Sequence, residues 1–235
     1  MARTASASNV PRSPGILAMT SSDRADWLIP AGLVALSAIP TIAGIVRLLQ
    51  LAVGAGITPD NARFFAAPVP LVVHILSSVT FCVLGAFQFS PGLRRLYPDW
   101  HRGAGRTLVP CGLVAALAGV WMAQFYPTGI NPPASFDGPF VYAIRIVAGA
   151  AMAVALCLGY AALRRRDIPQ HRAWMLRGYA LGLGAGTQVL THLPWYLLPN
   201  IRGELARTLL MAASWAVNLA VAEWSISRER RRLSS

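Results

Sequence analysis

Four histidines, His74, His101, His171 and His192, each lie in or beside a long apolar stretch of the chain. Neutral imidazoles facing one another from two helices are what axial ligation of a b-type haem requires. His74, in "PLVVHILSS", and His192, in "QVLTHLPWYLL", fall toward one end of their stretches, and His101 and His171 at the opposite edge. The pattern predicts an outer pair and an inner pair, each split between two helices, able to pass electrons across a bilayer. Arg145 enters its own stretch at about the depth of His74. A buried arginine neutralises a haem propionate, a quinone oxygen or a substrate carboxylate. Arg102, Arg172 and Arg177 extend that set, and Arg177 is placed to pair with Glu223 across helices. Ser78 and Gln188 stand one turn from His74 and His192, Gly85 would leave room for a flat ring, and "LGLGAG" makes the fifth stretch slim.

The same residues have an ordinary reading. Glycines in a membrane helix serve close helix packing, a membrane histidine bridges to a neighbouring helix, and an arginine snorkels to the interface. Two further functions therefore stand beside the redox one. The chain would bind or transport a lipid-like or anionic small molecule, with Arg145 and the His-Arg edges as anchors. Or it would be an assembly subunit with no ligand of its own.

The inner histidines belong to a repeated phrase. "LRRLYPDWHR" ends at His101-Arg102, and "LRRRDIPQHR" ends at His171-Arg172. Both run Leu-Arg-Arg, five residues, His-Arg, and both precede an apolar stretch. The matched offset suggests two helical hairpins of the same direction, related by a pseudo-twofold axis along the membrane normal. It maps His101 onto His171, but sets His192 against Met122 and His74 against Ile144. The repeat thus supports a shared inner site and is silent on the outer pair.

The elements that must position these residues are membrane helices. Hydrophobic residues make up 55% of the 235, only 13% are charged, and the apolar residues arrive in blocks. Blocks at 27–53, 69–90, 106–126, 139–163, 172–199 and 204–226 are each long enough to cross the ~30 Å hydrocarbon core. The expected fold is an all-α integral membrane protein of six spans. A polar tail at 1–26 precedes it, its "GILAM" too short for a leader's apolar region, and a basic tail at 227–235 follows it. Arginines cluster in the tails and in the loops after the second and fourth blocks, which places both termini in the cytoplasm. Trp27, Trp100, Trp195 and Trp224 fall near span ends, as an interfacial belt does.

The net charge of +12 would point to nucleic acid in a soluble chain, but here it sits between apolar blocks. Membrane lipid is the expected partner, and nucleic acid is not. Cys82, Cys111 and Cys157 stand alone in separate blocks, with no metal or redox spacing. The sequence has no Gly-x-Ser-x-Gly elbow, phosphate loop or His-Glu-x-x-His, which argues against a hydrolase or a zinc enzyme. It has no flavin or nicotinamide motif either, so a redox role would draw on a quinone or a partner redox chain.

His74, "GAFQFSPGLR", "HRGAGR" and "HRAWMLRGYAL" together resemble a bacterial membrane family, the one catalogued as domain of unknown function 2306. The likeness runs across the second to fifth blocks. That family usually reads His-Arg-Trp in the first loop, where this chain has Gly103. The resemblance implies a multi-span helical bundle in the bacterial plasma membrane and carries no activity with it. In histidine arrangement alone the chain is also similar to two-haem cytochrome b bundles.

Overall fold

A computed structural model describes residues 21–59, 61–126 and 136–234. The described residues form helices joined by short turns, with no strand among them. Helix α1 is Ser21–Ala52 and α2 is Ala62–Ala66. Helix α3 (Pro68–Ala86) runs through a 3₁₀ turn into α4 (Pro91–Leu96), and α5 (Pro98–Phe125) returns. Helix α6 is Pro139–Arg164, followed by α7 (Ile168–Gly182), α8 (Gly184–Thr191), α9 (Leu193–Leu197) and α10 (Glu204–Ser234). The polar tail expected at 1–26 lies outside the described residues as far as residue 20, and from Ser21 it is already helix α1. The basic tail is helical too, as the end of α10.

Among the described residues, five helices are long and apolar enough to cross a membrane: Asp26–Ala52, Pro68–Phe89, Pro98–Phe125, Pro139–Arg164 and Glu204–Arg232. Prolines start several helices because their first turn needs no N–H: Pro68, Pro91, Pro98 and Pro139 all stand at N1. The two elbows of the repeated phrase are capped by side chains. Ser90 accepts from Leu93 N at 3.2 Å, and Asp167 from Gln170 N at 3.0 Å. The returning helices α5 and α7 begin at the same position of the phrase, so both His-Arg pairs are helical. The third block accordingly starts at Pro98 rather than at 106.

Helices α3, α5, α6 and α7 pack in sequence, α1 lies against α3 and α8, and α10 against α6, α7 and α8. Their shared centre is Phe81, Leu108, Met152, Leu156, Tyr179, Leu181 and Leu183. Outward-facing residues such as Ile42, Leu49, Val147, Leu209 and Val221 remain exposed, a surface suited to lipid tails. Lipid is as apolar as these side chains, so close fit rather than transfer from water holds such helices together.

The fifth block, expected as one helix over 172–199, is instead three. At Leu183 the ladder slips: Gly186 N donates to Leu183 O at 2.9 Å, three residues back. The carbonyls just before the slip are taken by other helices. Asn218 Nδ2 donates to Ala180 O at 3.0 Å, Trp215 Nε1 to Leu181 O at 3.1 Å and Cys82 Sγ to Gly182 O at 3.5 Å. Freed backbone groups are tolerated at membrane depth when neighbours satisfy them in this way. The glycines of "LGLGAG" permit it. A Cβ on Gly184 would strike the Trp215 indole, and one on Gly186 the Leu36 carbonyl oxygen. That carbonyl lacks its own helix donor because Pro40 stands four residues on.

Candidate functional site

A cavity of about 470 Å³ lies inside the bundle. Its apolar walls include Leu71, Phe81, Met122, Met152, Met211 and Trp215, and its rim carries Arg63, Asp137, Tyr142 and Arg145. The rim is the end away from the elbows, where α3 and α6 begin and α5 ends. A largely apolar chamber with a few polar groups at one end is the usual form of a small-molecule site.

The rim is assembled from four segments. Asn61 folds the turn before α2, accepting from Thr58 N at 2.7 Å and donating to Gly56 O at 3.1 Å, and this positions Arg63 and Phe64. Arg47 and Arg63 each stack on the Phe64 ring, 4.9 and 4.8 Å from its centroid. Tyr126 closes the end of α5, donating to Ala67 O at 2.8 Å with its ring edge against Phe64. Burial pushes its hydroxyl pKa up, and the Leu71 backbone and Arg63 oppose the shift.

Asp137 is the centre of the rim. Its side chain is 8% exposed, with Arg145 Nη1 and Nη2 each 3.3 Å from a carboxylate oxygen and Arg207 Nη2 at 3.0 Å. Arg63 stands within electrostatic reach. Burial pulls its guanidinium down, Asp137 resists, and Arg145 adds to the fall. Phe136 beside it has a left-handed backbone, φ 49°, and packs edge-on to Trp195 at 5.2 Å. Glu204 of α10 accepts from Phe140 N at 2.7 Å, satisfying a free donor in the first turn of α6.

Of the two expected histidine pairs, the outer one is parted and the inner one is kept. His74 lines the cavity, with its Nδ1 2.8 Å from Ala115 O on α5. A carbonyl only accepts, so Nδ1 carries the proton and Nε2 is the free acceptor. His192 lies outside the cavity lining, its Nδ1 3.0 Å from Gln188 O one turn back. The outer pair therefore does not face one shared space, and the lining supplies one imidazole. His101 and His171 are brought within electrostatic reach of each other at the elbows. His171 Nδ1 bonds Gly159 O at 2.8 Å, while His101 Nδ1 is buried without a partner among the described residues. No group of three or more His, Cys, Asp and Glu side chains placed to hold a metal ion occurs among the described residues.

The arginines expected to balance propionates have carboxylate partners of their own. Arg102 pairs with Asp99 at 2.6 Å, Arg172 with Glu229, and Arg177 with both oxygens of Glu223 at 2.5 and 2.9 Å. The Arg177–Glu223 pairing is the one read from the sequence. Gly85, expected to admit a flat ring, does so for Tyr179, whose ring a Cβ there would meet. Arg145 alone of the expected arginines lines the cavity.

Arg63, Asp137 and Arg207 escaped the sequence reading. For Arg63 and Asp137 the signal was scarcity, since the loops on that side carry few charges.

No curated protein and no solved structure matches the chain. A family model described as "Predicted membrane protein (DUF2306)" matches residues 71–226, which takes in the cavity-lining parts of α3, α5, α6, α8 and α10 together with both elbows. With two thirds of its length matched, the chain belongs to that family of predicted membrane proteins.

Proposed function

We propose that the protein binds a lipid-like anionic molecule inside the membrane, its acidic head at Arg63 and Arg145 and its apolar body in the cavity. The observation that carries this is the joining of two guanidinium groups to a chamber walled by methionine, leucine and aromatic side chains. Guanidinium forks suit carboxylate and phosphate oxygens. Asp137 holds Arg145 in place at the rim. In this reading the chain crosses a bacterial plasma membrane six times, the run from α7 to α9 making the fifth crossing. Supporting that crossing, α9 stands at the rim, where Trp195 meets Phe136 and accepts from Arg202 Nε at 3.1 Å. Both termini and both arginine-rich elbows then face the cytoplasm, and the matched starts of α5 and α7 support a duplicated hairpin.

The test is extraction of the purified protein and mass spectrometry of what leaves it. A stoichiometric amphipathic acid is expected, and it is lost in Arg145→Ala while the protein stays folded. A chain that purifies with no such molecule, or an Arg145→Ala variant that keeps it, overturns the reading.

A second reading is a b-type haem held through His74, moving electrons between a quinone and a partner chain. The observation favouring it is the His74–Ala115 hydrogen bond, which leaves Nε2 as the acceptor a haem iron would need. Protein from haem-replete cells that shows no Soret band removes this reading and leaves the first intact.

A further inference from the structure

The elbow end of the bundle gathers basic side chains that the cavity does not use. Arg94 lies on α4, His101 and Arg102 on α5, and His171 and Arg172 on α7, with Glu229 of α10 beside them. The ion pairs of this region join Arg95 to Asp26, Arg102 to Asp99 and Arg172 to Glu229, and they pass Arg94 by. Arg94 is half-buried, with Arg172, Glu229 and Arg95 acting on its charge. His101, on the next helix, is within electrostatic reach of Arg94 and His171, and its buried Nδ1 has no hydrogen-bond partner among the described residues.

Buried polar atoms are nearly always satisfied, so an orphan calls for an explanation. Here a cation outside the ion pairs of the described residues and an imidazole nitrogen without a partner among them belong to adjoining helices of one elbow. The Ser90 cap sets the start of α4, and the Gly159 carbonyl fixes the ring of His171 beside them. Burial first, and then Arg172, pull the Arg94 guanidinium below its ordinary value, against the opposing pull of Glu229. A bound negative charge acts in the same direction as Glu229.

We propose that this elbow binds an oxyanion of the phosphate class, held by Arg94 and by the Nδ1–H of His101, with Arg172 as the flanking charge. A phosphate offers several acceptor oxygens, enough for a guanidinium and an imidazole at once. The chemistry is the same for free phosphate and for the headgroup of an anionic phospholipid. The site is separate from the cavity and does not rest on the function proposed for it.

The experiment uses the full chain with ¹⁵N-labelled histidines, reading the His101 ring signals by NMR. In one arm inorganic phosphate is titrated onto protein in phosphatidylcholine nanodiscs. In the other, nanodiscs of phosphatidylcholine with phosphatidic acid replace them. A saturable shift of the His101 signals in the first arm assigns the site to free phosphate, and a shift in the second alone assigns it to a lipid headgroup. Arg94→Gln is expected to weaken the response about tenfold, Arg94→Lys less, and the exposed Arg164→Gln hardly at all. The His101→Gln variant, labelled in the same way, identifies the signal by its loss, and retained His171 signals report a folded elbow. No shift in either arm overturns the proposal. So does an equal loss in Arg94→Gln and Arg164→Gln, which would mean diffuse surface charge.

Discussion

Arg145 sets two guanidinium nitrogens against the two carboxylate oxygens of Asp137, each at 3.3 Å, and Arg207 reaches the same carboxylate from α10 at 3.0 Å. The aspartate thereby ties the second turn of α6 to the first turn of α10 at the rim of the cavity. With its side chain 8% exposed, it is shielded from water far more than its partners are.

Removing that charge leaves guanidinium groups facing one another. Asp137→Asn is expected to destabilise the protein by about 1–3 kcal/mol, less than a fully buried pair would lose because the arginines stay partly hydrated. Thermal unfolding in detergent measures it. A variant as stable as the parent would show that the rim is held by other contacts.

The slipped turn at Leu183 makes a second prediction. Asn218 donates to Ala180 O and accepts from Thr187 Oγ1 at 2.8 Å, so Asn218→Leu leaves a carbonyl and a hydroxyl without partners at membrane depth. A loss of about 1–2 kcal/mol is expected, in line with interhelical hydrogen bonds in membranes. Thermal unfolding again reads it, and Asn218→Gln is not expected to restore the geometry.

Glycines should separate cleanly by surroundings. Gly186→Ala drives a methyl group into the Leu36 carbonyl and is expected to cost about 1–3 kcal/mol, since backbone cannot move aside as a side chain does. Gly103, in a helix with open space around it, should behave oppositely, Gly103→Ala adding about 0.5–1 kcal/mol. Equal effects at the two positions would contradict the α1–α8 contact.

Topology is open to thiol labelling. With Cys82, Cys111 and Cys157 replaced by alanine, single cysteines at Ser234 and Arg166 should be shielded from a membrane-impermeant reagent in whole cells, and one at Ala55 should react. Labelling at Ala55 and Arg166 alike would break the assignment of the elbows to one side.

How much of this was legible beforehand follows from the range of each interaction. Membrane class, helical fold and most helix limits depend on apolar runs and on prolines at first turns, and these are local. The Arg177–Glu223 pair was legible as well, since two charges in otherwise apolar segments have few places to go. The repeated phrase marked both elbows, and it mapped the starts of α5 and α7 onto each other.

The histidine reading went less far, because facing is a property of how helices rotate against one another. His74 and His192 share a depth by sequence, yet only His74 turns onto the cavity, held there by Ala115. "LGLGAG" announced a slim helix, but whether the space was for a ligand or for a neighbour rested on Phe81, Trp215 and Leu36, far away in the chain. The rim was hidden for the same reason. Arg63, Asp137, Arg145 and Arg207 lie on four segments, and nothing in their local sequence says they meet. The order of apolar and charged residues determined that this chain is a bundle of membrane helices with its arginines mostly at one end. Tertiary packing alone decided which polar groups share a cavity, because that depends on contacts between segments whose spacing along the chain carries no record of them.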